Sequence, residues 1–177
     1  MRLQTGTTAP DFTVADIHGK EVALSALRGK RVMLSFYRYA SCPFCNLRIH
    51  GLSQRAEEFR QRGLEMVAVF QSPSKNILKH AGKQEHAFSI IPDPQCLLYL
   101  RYGVETSWFG MLKAFVGRVP EMVTAMARGF LPGSMQGEKS RLPADFIIEG
   151  DGTIIATYYG KDIGDHMPVE TVEKYLK

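Results

Sequence analysis

The chain has 177 residues, of which 45% are hydrophobic and 23% are charged, and its formal net charge at pH 7 is +4. This length and apolar content predict a single compact domain over 1–177, with a core that does not require disulfides. The positive residues are scattered, which is typical of a solvated surface and argues against nucleic acid as a partner. No run approaches about 18 consecutive apolar residues, which argues against membrane insertion.

The cysteine count and the N-terminus bear on the compartment. Three cysteines cannot form a fully paired disulfide framework, so they favour a reducing environment. The first residues contain no apolar stretch of signal-peptide length. We therefore expect a cytoplasmic protein.

The first third of the chain predicts a hairpin, a central strand and a long helix. Residues 10–14 and 21–24 indicate two short strands around a turn that contains Gly19. An apolar strand follows at 32–37, and a helix runs from about Pro43 to Gln61, with Gly63 as its C-terminal cap.

The motif Cys42-Pro43-Phe44-Cys45 lies where this strand gives way to the helix. A helix that begins there has unpaired amide donors and the positive end of its dipole beside Cys42, and both stabilise a thiolate. Arg38 is the nearest cation in sequence. Cys45 belongs to an apolar stripe and is expected to face inward beneath Cys42. Cys42 is therefore the candidate nucleophile, and Cys45 is its partner.

The remaining elements complete an α/β pattern. We predict a strand at 64–70, a helix from 72–74 to about Gln84, a strand at 88–91, a helix at 95–102, a hairpin of strands 144–148 and 153–158, and a final helix at 168–176. This order describes a mixed sheet with helices on both faces, a thioredoxin-like arrangement. In such a sheet the first helix begins at the edge where sites usually lie.

At this point the sequence resembles the peroxiredoxin-like proteins of the alkyl hydroperoxide reductase and thiol-specific antioxidant superfamily. The motifs that carry the resemblance are Pro10-Asp11-Phe12, the Gly19-Lys20 turn, residues 24–30, Phe36-Tyr37-Arg38, Cys42-Pro43-Phe44-Cys45-Asn46, and Asp93-Pro94 leading to Tyr102-Gly103-Val104. It covers most of the chain except about 105–141. It implies reduction of hydroperoxides through a sulfenic acid on Cys42 that Cys45 resolves.

The resemblance also implies that an external thiol, such as thioredoxin or glutathione, regenerates the enzyme, and that no bound cofactor is needed. The residues expected at the substrate are Tyr37, Ser41, Pro43, Phe44 and Pro143. Typical family members have a threonine or serine three residues before the reactive cysteine, where this chain has Tyr39.

That departure keeps a second enzymatic reading open, in which the protein reduces disulfides and has no significant peroxidase activity. Leu142-Pro143-Ala144-Asp145-Phe146 resembles the loop of thioredoxin-like disulfide reductases that carries a cis-proline opposite the dithiol. Pro143 is the candidate for that role, with an ordinary trans proline as the alternative.

A third reading is a non-enzymatic module that binds zinc or a partner. Cys96, His50 or His86 would have to complete a zinc site with the Cys42–Cys45 pair, but no second paired motif is present. We expect Cys96 to be a small core residue within a helix, and the five histidines to lie on the surface. Asp145 is expected to point to solvent at the start of its strand, and the alternative is a buried carboxylate that relays protons to Cys45.

The segment 105–141 is predicted to be a helical insertion. Apolar residues at helical spacing run from Trp108 to Met126, Pro120 suits the start of a second helix, and Gly129 suits its end. These helices have more apolar surface than one face can bury. Core packing, a lid over the dithiol, and a homodimer contact through 106–132 all remain open.

Overall fold

The computed structural model describes residues 1–80 and 87–176, which form a mixed α/β fold. The strands are β1 (Thr13–Ala15), β2 (Glu21–Ala23), β3 (Arg31–Phe36), β4 (Leu64–Phe70), β5 (Ser89–Pro92), β6 (Ala144–Ile148) and β7 (Ile154–Tyr159). The helices are α1 (Pro43–Ser53), α2 (Ala56–Gln61), α3 (Ser74–Lys79), α4 (Leu97–Arg101), α5 (Trp108–Gly117), α6 (Val119–Ala127) and α7 (Val169–Glu173). Within the described ranges, none of these helices has the length and apolar character needed to cross a membrane.

Five strands form the central sheet in the order β5-β4-β3-β6-β7. β3, β4 and β5 are parallel, whereas β6 and β7 run antiparallel to their neighbours. β1 and β2 form a separate antiparallel hairpin. The thioredoxin-like mixed sheet predicted from the sequence is confirmed, and it places the end of β3 and the start of α1 at the sheet edge formed by the carboxyl ends of its parallel strands.

Alternation along the strands divides the sheet into two apolar faces. One face carries Leu34, Phe36 and Phe146 and packs against α4 and the β1–β2 hairpin. The other face carries Met33 and Tyr37 and packs against α1, α2 and α7. Both faces are covered, which explains why β3, β4 and β6 are continuous apolar runs rather than alternating ones.

The long helix predicted from Pro43 to Gln61 is wrong in one respect: it breaks between α1 and α2. The last turn of α1 tightens, so that the Arg55 amide donates to the Leu52 carbonyl at 3.0 Å. Arg55 then forms ion pairs with Glu58 on α2 and with Glu173 on α7, and these pairs stabilise the break between α1 and α2. The inward apolar stripe survives the break, because both helices keep the same side towards the sheet.

Two further helix predictions differ from the structure. The helix expected to reach Gln84 ends at Lys79, and residues 81–86 lie outside the described residues. Cys96 does not belong to a helix as expected; it precedes α4 in the left-handed conformation, with φ of 55°. The Asp93 carboxylate accepts from the Leu97 and Leu98 amides at 3.0 and 2.8 Å, so this aspartate caps α4 in its place.

The insertion is helical only in its first part. Helices α5 and α6 end at Ala127, and residues 128–143 return to the sheet without regular structure. Gly110 lies against the loop after β7, where an added Cβ would approach the Lys161 carbonyl oxygen to 2.8 Å. The Arg118 guanidinium bonds Asp162 in the same loop at 2.7 Å. The two helices are therefore attached to the domain by a close backbone contact and an ion pair.

Candidate active site at the amino end of helix α1

Cys42 occupies the cap position of α1, with Pro43 as the first helical residue. Its extended backbone (φ −73°, ψ 120°) turns the chain from β3 into the helix. The Asn46 side chain donates to the carbonyl oxygens of Ala40 and Cys42 at 2.8 and 2.9 Å and so holds this turn. Cys45 lies in the first turn of α1 and is buried, as its place in the apolar stripe predicts.

Arg38 lies directly beside the Cys42 sulfur. Its Nη1 donates to Cys42 Sγ at 3.3 Å, and its Nη2 donates to the Lys139 carbonyl oxygen. The guanidinium also lies over the Tyr39 ring, 4.8 Å from the ring centroid. Its Nε has no hydrogen-bond partner among the described residues. A buried cation with one unpaired donor therefore faces the candidate nucleophile.

The pKa values of the two thiols are shifted in opposite directions. Burial by itself raises the pKa of Cys42, but the hydrogen bond from Cys45 and the charge of Arg38 outweigh it and lower that pKa to about 6. Burial raises the pKa of Cys45, and the neighbouring Cys42 raises it further. At neutral pH, Cys42 is therefore a thiolate and Cys45 a neutral thiol, which is the division of roles that a nucleophile and a resolving thiol require.

A strap formed by residues 130–141 covers this site. The Ser41 hydroxyl donates to the Ser134 carbonyl oxygen at 2.7 Å, and Gln71 donates to the carbonyl oxygens of Gln136 and Glu138 at 3.1 and 2.7 Å. At Gly133 the strap approaches so closely that an added Cβ would lie 2.9 Å from Ser41 Cβ. Under the strap, Cys42 has an exposed fraction of 0%.

The profile of the AhpC/TSA family matches residues 5–157, which include the dithiol, Arg38 and the strap. The chain belongs to the AhpC/TSA family. It is 26% identical over 125 residues to peroxiredoxin Bcp of Escherichia coli K12, covering 70% of this chain and 80% of the relative. It is also 29% identical over 111 residues to the chloroplastic peroxiredoxin Q of Sedum lineare, covering 63% of this chain and 60% of that protein.

Solved structures agree on the fold of this AhpC/TSA protein. The crystal structure of peroxidoxin BcpB from Mycobacterium tuberculosis superposes with a TM-score of 0.68 at 19% identity. The superposition covers 98% of this chain and 94% of the other. At that identity the likeness concerns the thioredoxin-like fold alone.

The residues expected at the substrate are only partly brought together. Ser41, Pro43 and Phe44 lie at the start of α1 beside Cys42, although all three are buried. Tyr37 is also buried, in the same apolar cluster as Cys42, and its ring stacks on the Phe70 ring with the centroids 5.0 Å apart. The sequence places Tyr37 next to Arg38, but strand alternation sends the two side chains in different directions.

Pro143 is trans, because the described residues contain no cis peptide bond. The cis-proline expectation for this AhpC/TSA protein is therefore wrong. The Pro143 carbonyl oxygen accepts from the Gly160 amide at 2.9 Å, which extends the pairing of β6 with β7 and stabilises an ordinary extended backbone. Its neighbour Leu142 packs in the same apolar cluster as Cys42 and Cys45.

Asp145 does not point to solvent, contrary to expectation. Its exposed fraction is 0%, and its carboxylate oxygens both lie 3.1 Å from Nδ1 of His166. His166 is itself buried, so the assignment of every histidine to the surface is also wrong. His166 lies in the loop after β7 without any periodic pattern around it, and no sequence signal could have paired it with Asp145.

The other candidate ligands remain apart. Within residues 1–80 and 87–176, no group of three or more His, Cys, Asp or Glu side chains is arranged to hold a metal ion. His86 lies outside the described residues. Cys96 is half-buried at the edge of the opposite apolar cluster, near Arg141, and burial raises the pKa of its thiol. All three cysteines are free thiols.

Proposed function

We propose that the protein is a thiol-dependent peroxidase that reduces hydroperoxides with Cys42. The observation that carries this proposal is the contact between Arg38 and Cys42, which supports a thiolate at neutral pH. Membership of the AhpC/TSA family supports the same chemistry, and so do the names of its relatives, peroxiredoxin Bcp and peroxiredoxin Q.

In the first half of the cycle, the Cys42 thiolate attacks one peroxide oxygen. The O–O bond breaks, an alcohol or water leaves after protonation, and Cys42 becomes a sulfenic acid. The Arg38 guanidinium has an unpaired Nε donor that can stabilise the negative charge developing on the leaving oxygen. Arg38 therefore has two roles, one on the sulfur and one on the peroxide.

In the second half, the Cys45 thiol attacks the sulfenic sulfur and forms a Cys42–Cys45 disulfide with loss of water. An external thiol reductant, thioredoxin-like or glutathione, then reduces the disulfide. We place this cycle in the cytoplasm, where such reductants are available.

The proposed substrate contacts are at the mouth of this site. Ser41, Pro43 and Phe44 surround Cys42, and the extended backbone at Pro143 lies at the start of the neighbouring β6. Because the strap of residues 130–141 buries Cys42, peroxide reaches the sulfur when the strap moves away from Ser41.

Stopped-flow mixing of the reduced protein with hydrogen peroxide, and separately with a protein disulfide, tests the assignment. We expect oxidation by peroxide well above the rate of a free thiol. Cys42→Ser should abolish it, and Cys45→Ser should accumulate a sulfenic acid that dimedone traps. Peroxide oxidation as slow as that of a free thiol, together with rapid reduction of the protein disulfide, would favour the disulfide reductase instead.

We further propose that two copies of the chain pair through α5 and α6. The two helices turn small residues towards the domain and large apolar residues outward, which is the reverse of an ordinary surface helix. Gly110, Ala114 and Ala125 are buried. Trp108, Phe109 and Val116 have exposed fractions of 62%, 78% and 77%.

The area of this surface favours a second copy as its occupant. The other exposed apolar side chains on or beside these helices are Leu112, Phe115, Val119, Val123, Met126, Leu131 and Met135. Together the ten side chains expose on the order of 1,000 Å², against about 800 Å² per partner in a standard interface. A two-fold pairing of two helical hairpins would bury this surface as a four-helix bundle.

Sedimentation velocity on the full chain tests the pairing. We expect a dimer of about twice 19.9 kDa at micromolar concentration, and a monomer for the double variant Phe109→Glu, Val116→Glu. Leu100→Glu is the matched control, since Leu100 is 75% exposed but lies on α4. A wild-type chain that stays monomeric at high concentration would exclude the pairing, and its binding to lipid vesicles would assign the surface to a membrane.

A further inference from the structure

A buried acid lies on the face of the sheet that α1 covers. Asp145 pairs in register with Ser35 on β3 and with Tyr158 on β7, so its side chain projects on the same face as Tyr37. Tyr37 belongs to the apolar cluster that contains Cys42 and Cys45. An ionisable group therefore lies on the same face of the sheet as the apolar cluster that contains the dithiol.

His166 makes this acid one half of a pair. Its Nδ1 lies 3.1 Å from each Asp145 oxygen, and the Met167 amide donates to the same carboxylate at 2.7 Å. Burial alone would raise the pKa of Asp145, but His166, Arg48 and Ser35 lower it, so the carboxylate is ionised. A carboxylate only accepts hydrogen bonds, and Nδ1 therefore carries the proton.

The geometry leaves Nε2 of His166 as the atom that can gain or lose a proton. Nε2 is buried and has no hydrogen-bond partner among the described residues. An imidazole oriented by a carboxylate through Nδ1, with Nε2 unoccupied, is the arrangement of a general base. A purely structural histidine would be expected to bond through both nitrogens.

Tyr37 connects this pair with Cys45. The His166 and Tyr37 rings lie 4.6 Å apart between centroids, and Tyr37 shares its apolar cluster with Cys45. Burial raises the pKa of Tyr37, and the nearby Asp145 carboxylate raises it further. The other charged or titratable groups on the surrounding elements are Arg48 on α1, Tyr158 on β7, and Arg118, Asp162 and Asp165 at the loop that contains His166.

Cys45 needs a proton acceptor. Burial and the neighbouring Cys42 raise the pKa of its thiol, yet it must lose its proton to attack the sulfenic acid. We propose that the Asp145–His166 pair accepts the proton that Cys45 releases when the disulfide forms, a role that rests on the peroxidase cycle proposed above.

The step balances without a further reactant. Cys45 Sγ loses its proton, which the neutral imidazole takes up at Nε2 on the far side of Tyr37, and the S–S bond forms as the S–O bond of the Cys42 sulfenic acid breaks. The departing hydroxide takes up the proton that the imidazolium then releases, which yields water and restores the pair. Asp145 stabilises the imidazolium in between and stays ionised throughout.

Single-turnover oxidation resolves the two chemical steps and tests the proposal. In His166→Gln we expect the rate of sulfenic acid formation to stay within about twofold, and disulfide formation at pH 7 to fall at least tenfold. The wild-type rate of disulfide formation should depend on pH less steeply than that of the variant. The variant rate should continue to rise with pH, because hydroxide replaces the missing base. Asp145→Asn should follow the same pattern, and Asp151→Asn in the exposed turn between β6 and β7 is the control.

A second measurement does not depend on peroxidase activity. In the Cys42→Ser background, the pH midpoint for alkylation of Cys45 by iodoacetamide should rise when His166→Gln is added. Unchanged midpoints and unchanged pH profiles for disulfide formation would overturn the proposal, as would an equal slowing of both oxidation steps. If peroxide oxidation fails but the alkylation midpoint still rises, the proposed function fails and the Asp145–His166 role stands.

Discussion

Arg38→Met is the substitution that most directly tests the cause of Cys42 reactivity. Burial raises the pKa of Cys42, and two interactions reverse it: the hydrogen bond from Cys45 and the cation whose Nη1 lies 3.3 Å from the sulfur. Methionine keeps much of the side-chain volume and removes the charge. Burial is then opposed by Cys45 alone, and we expect the pKa to return at least to the ordinary thiol value of about 8.5.

The fraction of Cys42 that is ionised determines how far the oxidation rate falls in Arg38→Met. With a pKa of about 6, about nine-tenths of Cys42 is thiolate at pH 7, whereas at about 8.5 only about 3% is. The oxidation rate at pH 7 should therefore fall about 30-fold, equivalent to about 2 kcal/mol. At pH 9 most of the thiol ionises in both proteins, so the part of the loss due to ionisation should shrink to less than about twofold.

The assay is alkylation of the Cys42 peptide with iodoacetamide, followed by mass spectrometry between pH 5 and pH 10, which separates Cys42 from Cys45 and Cys96. Arg101→Met is the matched control, because Arg101 bonds the Asp11 carbonyl oxygen on the surface. A midpoint that stays near 6 in Arg38→Met would refute the assignment of the thiolate to this cation. Any loss of peroxidase rate that persists at pH 9 measures the second role of Arg38, on the leaving oxygen.

Three further outcomes follow from the same contacts. Ser41→Ala removes the bond to the Ser134 carbonyl and should destabilise strap closure by about 1 kcal/mol, seen as faster hydrogen exchange in residues 130–141; unchanged exchange would mean that Ser41 does not hold the strap. Because the pKa of Cys42 is lower in the folded than in the unfolded protein, its thiolate stabilises the fold at pH values above the unfolded thiol pKa, and this contribution is lost as the pH falls towards about 6. The free energy of unfolding of the reduced protein in urea should therefore decrease over this pH range, and Cys42→Ser should lack the decrease. Phe146→Ala removes a ring packed on Phe36, Tyr102 and Tyr159 and should cost about 3 to 5 kcal/mol in urea unfolding; a cost below about 1 kcal/mol would contradict the described packing.

The sheet was predictable because its strands are buried on both faces. Leu64–Phe70 and Ala144–Ile148 have the predicted boundaries, since an apolar run bounded by glycine or proline leaves little choice of register. The start of α1 at Pro43 was equally predictable, because proline favours the first turn of a helix. Local patterns therefore predicted the fold and the place of the dithiol within it.

What the sequence could not predict depends on contacts between distant residues. Asp145 looked like a polar strand end, and only the packing of a loop 21 residues later gives it the buried partner His166. The strap contacts Ser41 through the backbone carbonyl of Ser134, 93 residues later in the chain. A backbone contact of this kind leaves no pattern in the side-chain sequence. The break after α1 is likewise stabilised by a contact between distant residues, the pairing of Arg55 with Glu173 on α7.

Cys42 and Cys45 share a single helical turn, and this spacing has a consequence for damage by excess oxidant. Because the Cys45 thiol is within hydrogen-bond reach of Cys42, we expect the oxidised sulfur to meet its partner without unfolding of α1. The interval in which a second peroxide could carry it to the irreversible sulfinic acid should then be short. Tolerance of high peroxide concentrations should therefore be a built-in property of this helix terminus, and mass spectrometry after repeated turnover would reveal it as a low yield of the doubly oxygenated Cys42 peptide.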